Sequence, residues 1–159
     1  MPERMGGAPS KRVTLLGVEN LTSKLVAQAL ALEGVLTSIV VTSRSPATRR
    51  LRVRARRRGT LRAASFAACI GVSRVLYALR GGRRRAREIL QEIGLPPEWP
   101  AKVVRTNCAD VNGPDCRQAL VASKPDLVVV NGTNIIRPEL LGSVKAAFVN
   151  THTGITPDY

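Results

Sequence analysis

An asparagine and the chain's one histidine stand two residues apart in "FVNTHTGITPDY", residues 148–159. An amide donates a hydrogen bond and an imidazole moves a proton, so Asn150 and His152 form the pair best suited to chemistry. The apolar run before them, "VKAAFV", reads as a short buried strand. Strand side chains repeat every second residue, which puts both groups on one face at its carboxyl end. The Gly154-Ile155-Thr156-Pro157 stretch that follows reads as a turn. Polar groups at the carboxyl end of a strand, opening into a turn, are where α/β folds build their sites.

The rest of the chain must supply a sheet to hold that strand. "KRVTLLGV" (11–18) is a leucine and β-branched run that predicts a first strand. In "NLTSKLVAQALALEG" Asn20 or Thr22 can cap a helix, and Leu21, Leu25, Ala29 and Leu32 form an apolar stripe. Gly34 sits where such helices end, and "VLTSIVVT" (35–42) predicts a second strand, giving a β-α-β unit. A helix is expected at 83–94, then a Pro-rich break at "LPPEWP" and a short strand in "AKVVRTN". "PDCRQALVASK" reads as a helix with Pro114 at its start, where a missing N–H is harmless. "PDLVVVNG" is a buried strand, followed by the "TNIIRPELL" loop and helix start and the strand "AAFV". This alternation predicts an α/β, Rossmann-like three-layer sandwich on a largely parallel sheet.

At 159 residues with 44% apolar content, the chain holds one domain, or part of one, able to bury a core. The net charge of +14 points to an anionic partner, but its placement says more than its size. Residues 44–87 hold fifteen arginines and no lysine, aspartate or glutamate, leaving ten basic against eleven acidic residues elsewhere. The charge is a local device. Cys69, Cys108 and Cys116 are odd in number and form no CxxC pair, so reduced thiols and a cytoplasmic protein without a metal are expected. Residues 1–10 lack the apolar core of a secretory signal and read as a disordered tail.

The basic block, about 44–99, reads as an arginine-rich helical insertion into the domain that runs from 11 to 159. Within it, Leu61, Ala64, Ala68, Val72, Val75 and Leu79 recur at helical spacing, which fits a packed or interfacial helix. Arg62 and Arg74 interrupt the run and argue against a spanning helix. Three readings stay open for the block: a polyanion contact such as RNA, an anionic membrane surface, and a solvated insertion. The first is weakened by the scarcity of aromatics, only Phe66 and Tyr77, for stacking on bases. An α/β module that binds RNA or membrane through this block, without catalysis, is the alternative function for the whole chain.

"DLVVVNGTNIIRPELL" followed by "AAFVNTHTGITPDY" resembles the N-terminal catalytic domain of the formyltransferase family, which includes glycinamide ribonucleotide, methionyl-tRNA and sugar-nucleotide formyltransferases. Asn150, His152, Pro157 and Tyr159 match the family's Asn-x-His and Pro-x-Tyr signature, and the specific match covers 126–159. The resemblance implies formyl transfer from 10-formyltetrahydrofolate, a co-substrate, to the amine of a small acceptor. Asn150 and His152 then take the catalytic places, as donors to the developing oxyanion and handlers of the amine's proton. Asn131, Gly132, Thr133, Asn134, Ile135 and Ile136 become the folate-side loop, offering backbone groups and an apolar wall to a flat pterin. Gly17, Thr151 and Thr153 become the positions facing the acceptor.

Two departures qualify the acceptor and the extent of the site. "GVENLTS" (17–23) has neither the glycine-rich phosphate loop of the glycinamide ribonucleotide enzymes nor the Gly-x-Pro-x-Phe of the methionyl-tRNA enzymes. A sugar nucleotide or another small amine is left by elimination. The family's third catalytic group is an aspartate from a later segment, with no counterpart before Tyr159. The resemblance thus implies an inactive fragment, with further strands and that aspartate downstream.

Overall fold

The computed structural model describes residues 11–43, 55–56 and 59–151, in two compact units: residues 45–96 in one, and the segments on either side of them in the other. The expected N-terminal tail and His152, Thr153, Pro157 and Tyr159 lie outside the described residues.

The flanking unit is built on five parallel strands: β1 (Val13–Val18), β2 (Leu36–Thr42), β3 (Val104–Cys108), β4 (Leu127–Asn131) and β5 (Ala147–Thr151), in the order β3-β2-β1-β4-β5. Chain order runs outward from β1 through β2 to β3, then resumes on the other side of β1 with β4. That reversal is the switch point at which open parallel sheets leave a crevice beyond their carboxyl ends. The fold is the α/β, Rossmann-like one that the alternation predicts.

Both faces of the sheet are covered, which is why β1 is buried along all six residues and reads as a continuous apolar run. Val13, Leu15, Ile39, Val41 and Val129 pack on one face with Ala27 of helix α1 (Leu21–Leu32). Leu16, Val40, Val128 and Val130 pack on the other with Cys116 and Leu120 of helix α4 (Pro114–Ser123) and Leu140 of the one-turn helix α5 (Pro138–Leu141). Asn20 caps α1 by accepting from the Ser23 N–H at 2.7 Å, and Gly34 turns the chain out of it at φ 69°.

The face that α1 buries is not the expected one. Leu21, Ala29 and Leu32 are exposed, whereas Ser23 and Ala27 are buried and Val26, Leu30 and Ala31 pack beside them. Small side chains let the helix approach the sheet closely. At Gly17, on β1, an added Cβ would meet the Ser23 Oγ at 3.0 Å, so the Gly17–Ser23 contact decides which stripe faces inward. The last strand also differs from expectation: β5 lies at the edge of the sheet and is largely exposed rather than buried.

The start of the sheet is clamped by charge. Asp126 accepts from the Arg12 backbone N–H at 2.8 Å and from its guanidinium at 3.4 Å, tying the residues that lead into β1 and β4. The backbone and side-chain bonds from Arg12 hold the Asp126 carboxyl below its ordinary value. A carboxyl lowered in the folded state adds stability above its unfolded pKa, and that stability is lost as pH falls through the folded value. Asp126→Asn is therefore expected to lower the urea midpoint at neutral pH, with the difference from the parent closing below about pH 4. A difference that stays constant down to acid pH would show that the clamp is not electrostatic.

The unit of residues 45–96 contains α2 (Thr60–Leu79) and α3 (Gly82–Ile93). They meet at Gly81-Gly82, where Gly81 has φ 70° and a side chain on Gly82 would collide with the Tyr77 ring. On α3, Arg84 pairs with Glu88 and Arg85 with Glu88 and Glu92, at 3.3–3.5 Å. Such surface pairs are worth about 0.3–0.5 kcal/mol each. No described side chain of α2 is buried, so the packed reading of 61–79 does not hold within this unit. By length and composition alone α2 is apolar enough to cross a membrane.

Candidate functional site

The carboxyl ends of β1, β4 and β5 open onto a cavity of about 640 Å³, at the switch point of the sheet. Asn20 and Thr22 enclose it after β1, residues Val130–Ile136 from the end of β4 and the loop that follows, and Phe148, Asn150 and Thr151 from β5, with Leu141 beside them. All six residues of the expected folate-side loop line it, as do Asn150 and Thr151. Gly17 does not: it is buried beneath Ser23.

Two of these residues are occupied by the fold itself. Ser23 donates to the Asn131 Oδ1 at 2.8 Å, Asn131 donates through Nδ2 to the Thr151 Oγ1 at 2.6 Å, and Thr151 donates to the Val130 carbonyl at 3.0 Å. The Val18 N–H closes the other end of this relay on the Ser23 Oγ at 3.4 Å. Asn131 is 5% exposed. Its amide thus ties α1, β4 and the end of β5 together beneath the cavity, and the Thr151 hydroxyl is a link in that tie. Asn150, one residue before, differs: its side chain is exposed and makes no hydrogen bond among the described residues. Its amide remains available to a ligand.

The loop after β4 is shaped from two sides. Gly132 has φ 68°, and a Cβ there would meet Val18 Cγ2 at 3.3 Å and Asn20 Nδ2 at 3.4 Å, so only glycine suits the turn. Gly132→Ala is expected to destabilise the protein by about 1–2 kcal/mol, the cost of a left-handed alanine, read as a lower denaturation midpoint. An unchanged midpoint would mean that the loop relaxes freely. On the far side, Asn112 donates to the Ile135 carbonyl at 2.9 Å and accepts from the Arg137 N–H at 2.8 Å. Asp110 and Asp115 brace Asn112's own loop by accepting from the Asn112 and Ala109 N–H groups. Backbone bonds, with Ala109's first, hold the Asp115 carboxyl below its ordinary value. In the sequence, Asn112 carries no sign of this role beyond the Asn-Gly-Pro turn signal at 112–114.

The chain matches no protein-family model and no curated protein.

The chemistry of the cavity follows from its walls. No described lining residue is charged: it offers amides, hydroxyls and backbone groups on one side, and Ile136, Leu141 and Phe148 on the other. Ile135 is 89% exposed at its rim, an apolar surface without protein cover. A phosphate would find no cation among the described lining residues, whereas a flat neutral heterocycle would find both hydrogen-bond partners and an apolar wall. The groups with shifted pKa lie outside the cavity lining. Burial pushes the Cys116 thiol up to about 12 and raises Cys108, which makes both poor nucleophiles. Glu19, bonded to Lys24 at 2.6 Å and to the Trp99 indole at 2.9 Å, is lowered mainly by those two bonds.

Proposed function

We propose that the cavity is the folate side of a formyl-transfer site and that Asn150 and His152 form its catalytic edge. The observation that carries this reading is the exposed Asn150 amide at the end of β5, without a partner among the described residues, in a cavity at the switch point whose described lining is uncharged. The cavity volume lies in the range that small-molecule sites use. Its loop of amides and backbone groups, with the exposed Ile135 and the half-buried Ile136 lining it, suits a pterin ring.

Bound there, 10-formyltetrahydrofolate supplies a formyl carbon to the amine of a small acceptor such as an amino-sugar nucleotide. The new C–N bond forms to the acceptor, the bond to the folate N10 breaks, and one proton passes from the amine to N10. Asn150 donates to the formyl oxygen as it gains negative charge, an interaction worth about 3–4 kcal/mol for a well-aimed donor. His152 takes the proton of the attacking amine. Ile135, Ile136 and Phe148 shield the ring from water, and the Asn131 relay fixes the strand end from which Asn150 projects.

The test uses the protein at its full natural length, with 10-formyltetrahydrofolate and a panel of amino-sugar nucleotides and other small amines. Acceptor-dependent release of tetrahydrofolate is the expected result. Absence of both turnover and calorimetric binding of 10-formyltetrahydrofolate would overturn the reading.

A further inference from the structure

The least explained surface of the molecule is α2. Leu61, Val72, Val75 and Leu79 are 82%, 59%, 58% and 77% exposed. At about 100° per residue they fall with Ala64 and Ala68 on one stripe. Arg62, Arg74 and Arg80 fall outside it. The stripe runs nearly the whole 20-residue helix, about 30 Å. In the sequence, residues 44–87 hold fifteen arginines and no acidic residue.

We propose that α2 binds an anionic lipid bilayer, lying in the interface with this stripe toward the acyl chains and its arginines at the level of the headgroups. The topology decides between lying and spanning. β2 ends at Thr42 and β3 begins at Val104, and the two strands pair directly in one sheet. The chain therefore leaves and re-enters that sheet on one side of any membrane, so an even number of crossings would be needed. α3 cannot provide the return: it has twelve residues, about 18 Å, against a hydrocarbon core of about 30 Å. It also carries Arg84, Arg85, Arg87, Glu88 and Glu92. Residues 44–58, with eight arginines in fifteen positions, offer no second span. An interfacial helix needs no return. It buries one apolar face and keeps long cationic side chains at the headgroups, as this stripe and these arginines allow.

An apolar face of this length has no use in binding RNA phosphates, and so large an excess of arginine over acidic residues has none in a neutral protein interface. Anionic lipid satisfies both at once. The inference does not depend on the formyl-transfer reading.

The experiment is vesicle flotation of the full chain with phosphatidylcholine alone and with equimolar phosphatidylserine. Partition is expected only with phosphatidylserine, falling as salt is raised. The double variant Val72→Asp plus Leu79→Asp, both at exposed positions, should lower it about tenfold or more. A second readout needs no substitution in the helix. Cys69 is exposed on α2 while Cys108 and Cys116 are buried, so a polarity-sensitive thiol dye should label Cys69 and shift to the blue on anionic vesicles. Equal partition of the parent and the double variant would overturn the proposal, because charge alone would then be sufficient. So would retention of single-stranded RNA without vesicle binding, or a concentration-dependent dimer abolished by the double variant without vesicle binding.

Discussion

On the formyl-transfer proposal, turnover in Asn150→Ala is expected to fall about 100- to 1000-fold, the usual loss for one donor at a developing oxyanion. In His152→Ala the expected fall is about two to four orders of magnitude, the range for a positioned acid–base group. The two variants should differ from ordinary destabilised proteins in a specific way. Asn150 is exposed on an edge strand and makes no hydrogen bond among the described residues, so its loss should change stability by no more than about 0.5 kcal/mol. Affinity for 10-formyltetrahydrofolate should also change little, because the loop after β4, braced by Gly132 and Asn112, is untouched. The measurement is single-turnover transfer beside calorimetric binding, in the protein at its full natural length. A lost rate with retained binding supports a catalytic edge. Near-normal turnover in Asn150→Ala would remove that residue from the chemistry.

The second large effect falls on stability. Asn131→Leu keeps the volume of a buried side chain but removes its amide. The Ser23 hydroxyl then loses its acceptor and the Thr151 hydroxyl its donor, at 2.8 and 2.6 Å in the parent. Stranding a buried polar group such as the Ser23 hydroxyl costs about 1–3 kcal/mol, and the half-buried Thr151 hydroxyl adds less. The expected total is on the order of 3 kcal/mol, a fall in melting temperature on the order of 10 °C. Ser23→Ala added to Asn131→Leu should recover part of the loss, since the hydroxyl that was stranded is then gone. Thermal melts of the parent, both single variants and the double variant give the cycle. If Asn131→Leu melted within a degree or two of the parent, the relay would be incidental to the fold.

Much of the architecture was legible in local sequence. Apolar runs of strand length, the Asn20 cap, the Gly34 exit and Pro114 at a helix start each concern neighbours within a few residues. Their alternation implied a parallel sheet, and the strand end carrying Asn150 was visible in the same way. The separation of charge into residues 44–87 was plain from the letters alone.

The tertiary structure decided what those patterns left open. α1 carries two apolar rows that helical spacing cannot rank; the absence of a side chain at Gly17 let the row with Ser23 and Ala27 approach the sheet. The "VKAAFV" run looked buried because composition reports only that a strand is apolar, whereas its place at the edge depends on which strands it pairs with. That the Asn131 side chain is held by the fold is not visible locally, because its partners Ser23 and Thr151 lie 108 and 20 residues away. The role of Asn112 is hidden for the same cause, its partners Ile135 and Arg137 lying 23 and 25 residues further along. Periodicity and caps are set by neighbours in the chain, but whether a polar side chain faces a ligand or its own fold is set by groups that only chain folding brings within hydrogen-bond distance.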